Sequence, residues 1–422
     1  MSTSLADAAL TPPAVAASAG AARLDYLDAT RAFALVLGIV FHASLSFMPT
    51  YIGWAVQDIS TGALVASFVT VSHAFRMEVF FLLAGYFSHL TFHRRGAGNF
   101  MKSRFVRIVV PFVLGWFLLR PLLTVAWVMG FTSMRGEVDI QAGIEAAVEM
   151  LKAVPAGLFT QTHLWFLYYI VLVTGLALIG RAVFGAVAGV RSDRWKRGLD
   201  AGVAWLASSP WGLPVLAAPT ALALWHMSHW GMDTPDKSLQ PHGPVLCIYG
   251  GFFCLGWLLD RQPAAMAALA RLTPTRGLGA VVGLVGVLKL SDIQMDPGHA
   301  HHVIAHYGFV AAYALLMWSL VSLTIGVFKK CCSRPRGWVR YVADSSYWMY
   351  LIHLPIVIWL QVAIAEVPIH WSFKLGIVSA ATIAIALISY DLVVRSTFIG
   401  AVLNGRRRNR VLGPWLVGQR GR

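Results

Sequence analysis

The stretch 28-DATRAFALVLGIVFHASL-45 decides how the rest of the chain is read. It begins as a membrane helix of Ala, Phe, Leu, Val, Ile and Gly. Yet Arg31 stands at one end and His42 lies well inside. They are eleven positions apart. Eleven steps of 100° come to three turns plus about 20°, so both side chains share one helix face about 16 Å apart. Asp28, one turn before Arg31, can pair with it or cap the helix start, where negative charge is favoured. A buried ionisable group is costly in a membrane unless it faces a partner or a polar cavity. The plainer alternative is a His bonded to a neighbouring carbonyl, with Arg31 snorkelling to headgroups. The pair on one face favours function: imidazole exchanges a proton near neutral pH, which suits a general base acting on a hydroxyl.

Composition agrees with a membrane reading. The 422 residues are 57% hydrophobic and 13% charged, with 16 Trp and 23 Phe, against roughly 25% charged in soluble domains. Crossing the hydrocarbon takes about 20 apolar residues. Ten segments qualify as candidates, near 29–48, 64–92, 106–130, 163–185, 212–228, 243–259, 277–291, 303–327, 346–366 and 372–395. The fifth and seventh are short and interrupted by Gly or Pro. The net charge of +15 is the basic excess of cytoplasmic loops rather than a nucleic-acid footprint. With the N-terminus inside, inside segments hold 27 of the 34 Lys and Arg, while outside loops hold Arg135, Lys152 and Lys237. The expectation is an all-α polytopic integral membrane protein of about ten transmembrane helices, N-in and C-in.

Residues 1–22 read as a disordered cytoplasmic tail, 23–400 as the membrane domain and 401–422 as a basic cytoplasmic tail. The segment 137–154 has the pattern of an amphipathic helix on the outer face. Cys247 and Cys254, seven apart on one helix face, are expected to pack rather than bridge, and four cysteines make no disulfide framework.

Other spans carry more polar groups. In 72-SHAFRMEVFFLLAGYFSHL-90, His73, Arg76 and Phe80 form one stripe, while Glu78 lies about 200° from Arg76 and cannot pair with it in the helix. Each charge then needs another helix or a water-filled cavity, either as an inter-helix ion pair or as a cation holding an anionic part of a substrate. Arg104 and Arg107, one turn apart at an inner mouth, suit phosphate, although plain positive-inside charge accounts for the loop as a whole. His163 and Trp165 stand at an outer boundary. Tyr347, Tyr350 and His353 share helical spacing, with Pro355 expected to kink the helix. The cluster 298-GHAHHVIAH-306 lacks a carboxylate between His302 and His306, so no metal site is expected. No spacing supports nucleic-acid binding.

At these residues the sequence resembles the acyltransferase-3 family of polytopic bacterial membrane enzymes. The resemblance rests on Arg31 and His42 with ten residues between them, and on 75-FRMEVFFLLAGYF-87, 104-RFVRIVVP-111, 162-THLWFL-167 and 350-YLIHLP-355. Ala84 stands where many relatives have Ser. Within the family, 26-YLDATRAFALVLGIVFHASL-45 and 73-HAFRMEVFFLLAGYFSHL-90 have the character of members that succinylate osmoregulated periplasmic glucans. The resemblance implies a cytoplasmic acyl-CoA donor, succinyl-CoA or acetyl-CoA, with no tightly bound cofactor. It also implies a glycan acceptor outside and a place in the bacterial inner membrane.

On this reading His42, with Arg31 and Asp28, is the catalytic group, as general base or as a transient acyl-imidazole. Arg31, Arg76, Arg104 and Arg107 hold acyl-CoA. His73, Glu78, His163, Trp165, Tyr350 and His353 meet the substrate. A succinyl carboxylate would pair with Arg76 or Arg120. The partners expected are acyl-CoA, the glycan and the bilayer, with homo-oligomerisation left open. Other readings are O-acetylation of another exported polysaccharide, a non-catalytic partner of a glucan synthase, or a transporter, which also uses polar residues in broken helices.

Overall fold

The computed structural model describes residues 24–412 apart from 135, 137, 153–161, 190–191, 237 and 295. The tail 1–22 and residues 413–422 of the basic tail lie outside the described residues. Within them every regular element is helical. A chain this apolar has little water to satisfy its backbone, and a helix does so internally.

In chain order the α-helices are α1 (Asp25–Ser44), α2 (Ala63–His73), α3 (Arg76–Arg104), α4 (Val110–Ser133), α5 (Ile140–Lys152), α6 (Trp165–Ala188), α7 (Ser192–Ser208) and α8 (Gly212–Trp225). They continue with α9 (Gly243–Asp260), α10 (Pro263–Leu269), α11 (Pro274–Gln294), α12 (His302–Cys331), α13 (Gly337–Ile364), α14 (Trp371–Ser389) and α15 (Phe398–Asn404). π-helical segments at Phe105–Val109 and Tyr390–Val394 join α3 to α4 and extend α14.

All ten segments read from the sequence are helical. Among the described residues eight stretches are long and apolar enough to cross a membrane. Two effects separate eight from ten. Ala63–Ser133 is one stretch of 71 residues, broken at Gly96, where φ is 75°. Gly212–Trp225, at 14 residues, is short of a full span. The segment 137–154 forms α5 over Ile140–Lys152, which packs on α4 through Gly143 against Val125.

The core runs down the centre of the bundle. There α3 and α9 approach closely because small residues face each other. A Cβ at Gly85 would overlap the Phe253 carbonyl, and one at Gly256 the Leu82 carbonyl. In hydrocarbon such backbone proximity supplies the packing that water would otherwise drive. Helices α1 and α13 pack together in a separate apolar cluster with α14, built on Leu35, Ile39, Met349, Val357 and Val378. Cys247 and Cys254 do share a face of α9, but both thiols are free and exposed. They open onto a groove instead of packing in the core.

Candidate active site

The local breaks in the helices explain where the polar residues go. The segment 64–92 is two helices, not one. Ala74 and Phe75 interrupt it, so His73 ends α2 and Arg76 begins α3. His73, Arg76 and Phe80 still line one cavity. In α13, Pro355 has no N–H to give the carbonyl of Leu351 four residues back. His163 fills that vacancy: its Nε2 donates to Leu351 O at 2.9 Å. Thr162, just before it, has φ 53°, a strained setting for a β-branched residue, and its N–H donates to Asp236 O. The π-helical turn at Phe105–Val109 turns the Arg107 carbonyl toward Tyr347, whose hydroxyl donates to it at 2.5 Å.

These elements enclose a cavity of about 330 Å³. Arg31 and Arg104 line one end, with Asn404 of α15 beside them. His42, His73, His163 and His353 line the other. By helix rise, Arg31 and His42 stand about 16 Å apart along α1 on this wall. Arg31 Nη2 donates to Ala343 O at 3.2 Å and lies 3.2 Å from Asp28 Oδ1. Arg104 Nη2 donates to Ser88 Oγ at 2.7 Å, and its guanidinium lies over the Phe100 ring.

At the imidazole end, the His42 ring is 5.3 Å from that of His353, and His163 is 5.6 Å from His353. Three of the four rings have fixed tautomers, because each gives an N–H to a carbonyl. His73 Nε2 donates to Met232 O, His163 Nε2 to Leu351 O and His353 Nδ1 to Tyr350 O. The His42 ring has no such partner among the described residues, and its Nδ1 is buried without a hydrogen bond. A buried histidine bonded to a carbonyl is thus the state of its three neighbours but not of His42.

Arg76 is 5% exposed, lines the cavity and places its guanidinium 4.2 Å from the Phe41 ring centre. Its Nη1 is buried without a hydrogen-bond partner among the described residues. Trp165 and Tyr350 also line the cavity, and Tyr350 donates to His163 O at 2.7 Å. Asp28, Glu78, Arg107 and Arg120 do not line it. Asp28 reaches it only through Arg31. Glu78 is fully buried, and neither carboxylate oxygen has a hydrogen-bond partner among the described residues. Arg120 lies over Trp116.

The segment between α8 and α9 covers part of the imidazole end. Thr234 lines the cavity and Met232 supplies the carbonyl for His73. Asp233 stitches the segment together by accepting from the N–H groups of Ser228 and His229. Burial pushes its carboxyl up, but the Ser228 and His229 hydrogen bonds outweigh that and hold it below the usual range.

Two residues that pattern reading passed over hold His42 in place. Gln361 of α13 is 1% exposed. Its Nε2 donates to the carbonyls of His42 and Ala43, each at 3.0 Å. These belong to the last turn of α1, where carbonyls run short of helical partners; the His42 carbonyl also accepts from the Leu45 N–H. Its Oε1 accepts from Trp54 Nε1 at 2.9 Å, and the Trp54 ring stacks on His42 at 5.7 Å. A lone amide in an apolar span was a usable signal for Gln361. Nothing local marked Trp54. The His299–His306 cluster lies elsewhere, with His306 stacked on Trp225 and Trp230.

Residues 24–391 match a family model described as an acyltransferase domain. Two relatives, each called glucans biosynthesis protein C, come from Escherichia coli strain K12 and from Escherichia coli O157:H7. Each is 24% identical over 391 residues, covering 92% of this chain and 95% of the relative. No solved structure matches.

Proposed function

The chain belongs to the acyltransferase-3 family, and from that premise we propose that it moves a succinyl group from cytoplasmic succinyl-CoA to hydroxyls of a periplasmic glucan. It would do so in the bacterial inner membrane, with both termini inside. The observation that carries this reading is the one cavity lined by Arg31, Arg104 and His42, an imidazole with no carbonyl partner among the described residues. Donor phosphates bind at the guanidinium end, assisted by Arg107 near the mouth. The pantetheine arm runs along the cavity and brings the thioester to His42.

His42 takes the proton of an acceptor hydroxyl as its oxygen bonds to the thioester carbonyl carbon. The C–S bond then breaks, and the proton passes from His42 to the departing thiolate. The neighbouring imidazoles each give one N–H to a carbonyl, which fixes the placement of their rings beside His42. Gln361 and Trp54 act as positioning residues, fixing the end of α1 and one face of the ring. The succinyl carboxylate pairs with Arg76. Burial and a place on the cavity wall support Arg76 over Arg120, which lies off the cavity.

The test replaces His42 with Ala and weighs glycans extracted from cells with and without the protein. The expected result is loss of the mass and negative charge of a four-carbon diacid residue. Full succinylation by the variant removes His42 from the reaction, and a two-carbon acyl gain in the wild type reassigns the donor to acetyl-CoA.

A further inference from the structure

A second hollow, of about 890 Å³, lies between α6 and α9, away from the imidazole cavity. Its walls are apolar or small: Leu176 and Ala177 on α6, Leu246 and Leu258 on α9. Gly180 and Gly250 keep it open, since no described heavy atom lies within 4 Å of a Cβ built on either. Every charged residue on its lining is basic, namely Arg181, Lys196 and Arg261, and His89 and His93 adjoin them.

These groups gather at one end of the groove. From Arg181 the wall of α6 runs eight residues to Val173, about 12 Å. Along α9 it runs from Leu258 to Leu246, about 18 Å. Carboxylates behind the rim already engage some of the cations. Arg261 pairs with Asp200, Lys196 with Asp193, and His89 with Asp260. Arg181 has no carboxylate partner among the described residues, and its guanidinium lies 4.8 Å from the Phe92 ring centre.

We infer that this groove binds an anionic glycerophospholipid, with an acyl chain between α6 and α9 and the headgroup phosphate on Arg181 and Lys196. Three features select that occupant. The groove is long and apolar, which suits a hydrocarbon chain. Its charged lining has one sign, which suits a phosphate. Its basic end coincides with the basic loops of the bundle, where an anionic headgroup of that leaflet would lie. Basic pockets between membrane helices are known to hold such headgroups. The inference stands apart from acyl transfer, since none of these residues lines the imidazole cavity.

The experiment is native mass spectrometry of the full chain released from detergent, titrated with phosphatidylglycerol or with phosphatidylcholine of the same acyl chains. The expected result is one saturable phosphatidylglycerol adduct formed at lower lipid concentration than phosphatidylcholine. Arg181→Gln should weaken phosphatidylglycerol about fivefold and leave phosphatidylcholine unchanged. Ala177→Phe with Gly250→Phe should remove both adducts. Equal binding of both lipids by the wild type would mean an annular shell only and would overturn the inference. So would Arg181→Gln binding like the wild type, a result that does not depend on the filled variant folding.

Discussion

His42 is set apart from three similar residues by a hydrogen bond that it does not make. His73, His163 and His353 are each tied to a carbonyl, so changing them should disturb the shape of the site more than its proton transfer. His42→Ala should lower transfer by about 10²–10⁴ if the ring acts as general base, measured as succinyl incorporation by purified protein. Gln361→Glu keeps an acceptor for Trp54 but withdraws the Nε2 donors from His42 O and Ala43 O. It should lower kcat at unchanged KM for the donor and move the acid limb of the rate–pH profile. A purely structural role would leave that limb where it is. Arg76→Gln should raise KM for succinyl-CoA while sparing acetyl-CoA, because only the former presents a carboxylate to the lost guanidinium. Equal effects on both donors would take Arg76 out of donor selection. Sequence pointed to His42 and Arg76 because buried ionisable residues stand out in an apolar run. Their surroundings were illegible, since Gln361 and Trp54 lie 319 and 12 residues away from His42 along the chain.

At the scale of elements, the site is built where helices are interrupted. The break at Ala74–Phe75 puts His73 and Arg76 on different helices that open onto one cavity. Pro355 exposes the carbonyl that seats His163. Pro355→Ala should let position 355 reclaim Leu351 O for the helix, leaving the His163 Nε2–H without a buried acceptor. Such a loss costs about 1–3 kcal/mol. The expected readout is reduced transfer with the helical content kept, followed by circular dichroism and activity together. The proline was visible in the sequence and a kink was expected from it. That its freed carbonyl would be met by a residue 188 positions earlier was not, because only the tertiary fold brings the turn Thr162–Leu164 up to α13. Lys374 on α14 shows the same limit. It forms a 2.7 Å ion pair with Asp58, with both side chains almost fully buried. Lys374→Met should destabilise the fold by about 3–5 kcal/mol through the carboxylate left behind, read as a fall in the detergent-solubilised melting temperature. A melting point equal to the wild type would reduce the pair to decoration.

For the molecule as a whole, the prediction concerns orientation. With Cys247 and Cys254 changed to Ala, the exposed Cys331 at the C-terminal end of α12 should react with a membrane-impermeant maleimide only after the inner membrane is opened. Labelling of intact spheroplasts would reverse the topology and put the guanidinium end of the cavity outside. What the sequence determined by itself was the class of molecule. An apolar, helix-periodic chain in a bilayer must satisfy its backbone within each segment, so hydropathy and charge are enough to mark helices and their basic ends. The shared face of Arg31 and His42 was equally local, a consequence of 3.6 residues per turn. Tertiary structure alone decided which polar residues meet. It drew Arg104 into the cavity and left Arg107 at its edge, buried Glu78 away from it, and brought Asn404 of α15 to the basic end from beyond the residues that match the family. Those outcomes depend on how helices rotate and pack against one another, and in hydrocarbon that is settled by close contact between distant small residues such as Gly85 and Gly256. No local pattern along the chain encodes it.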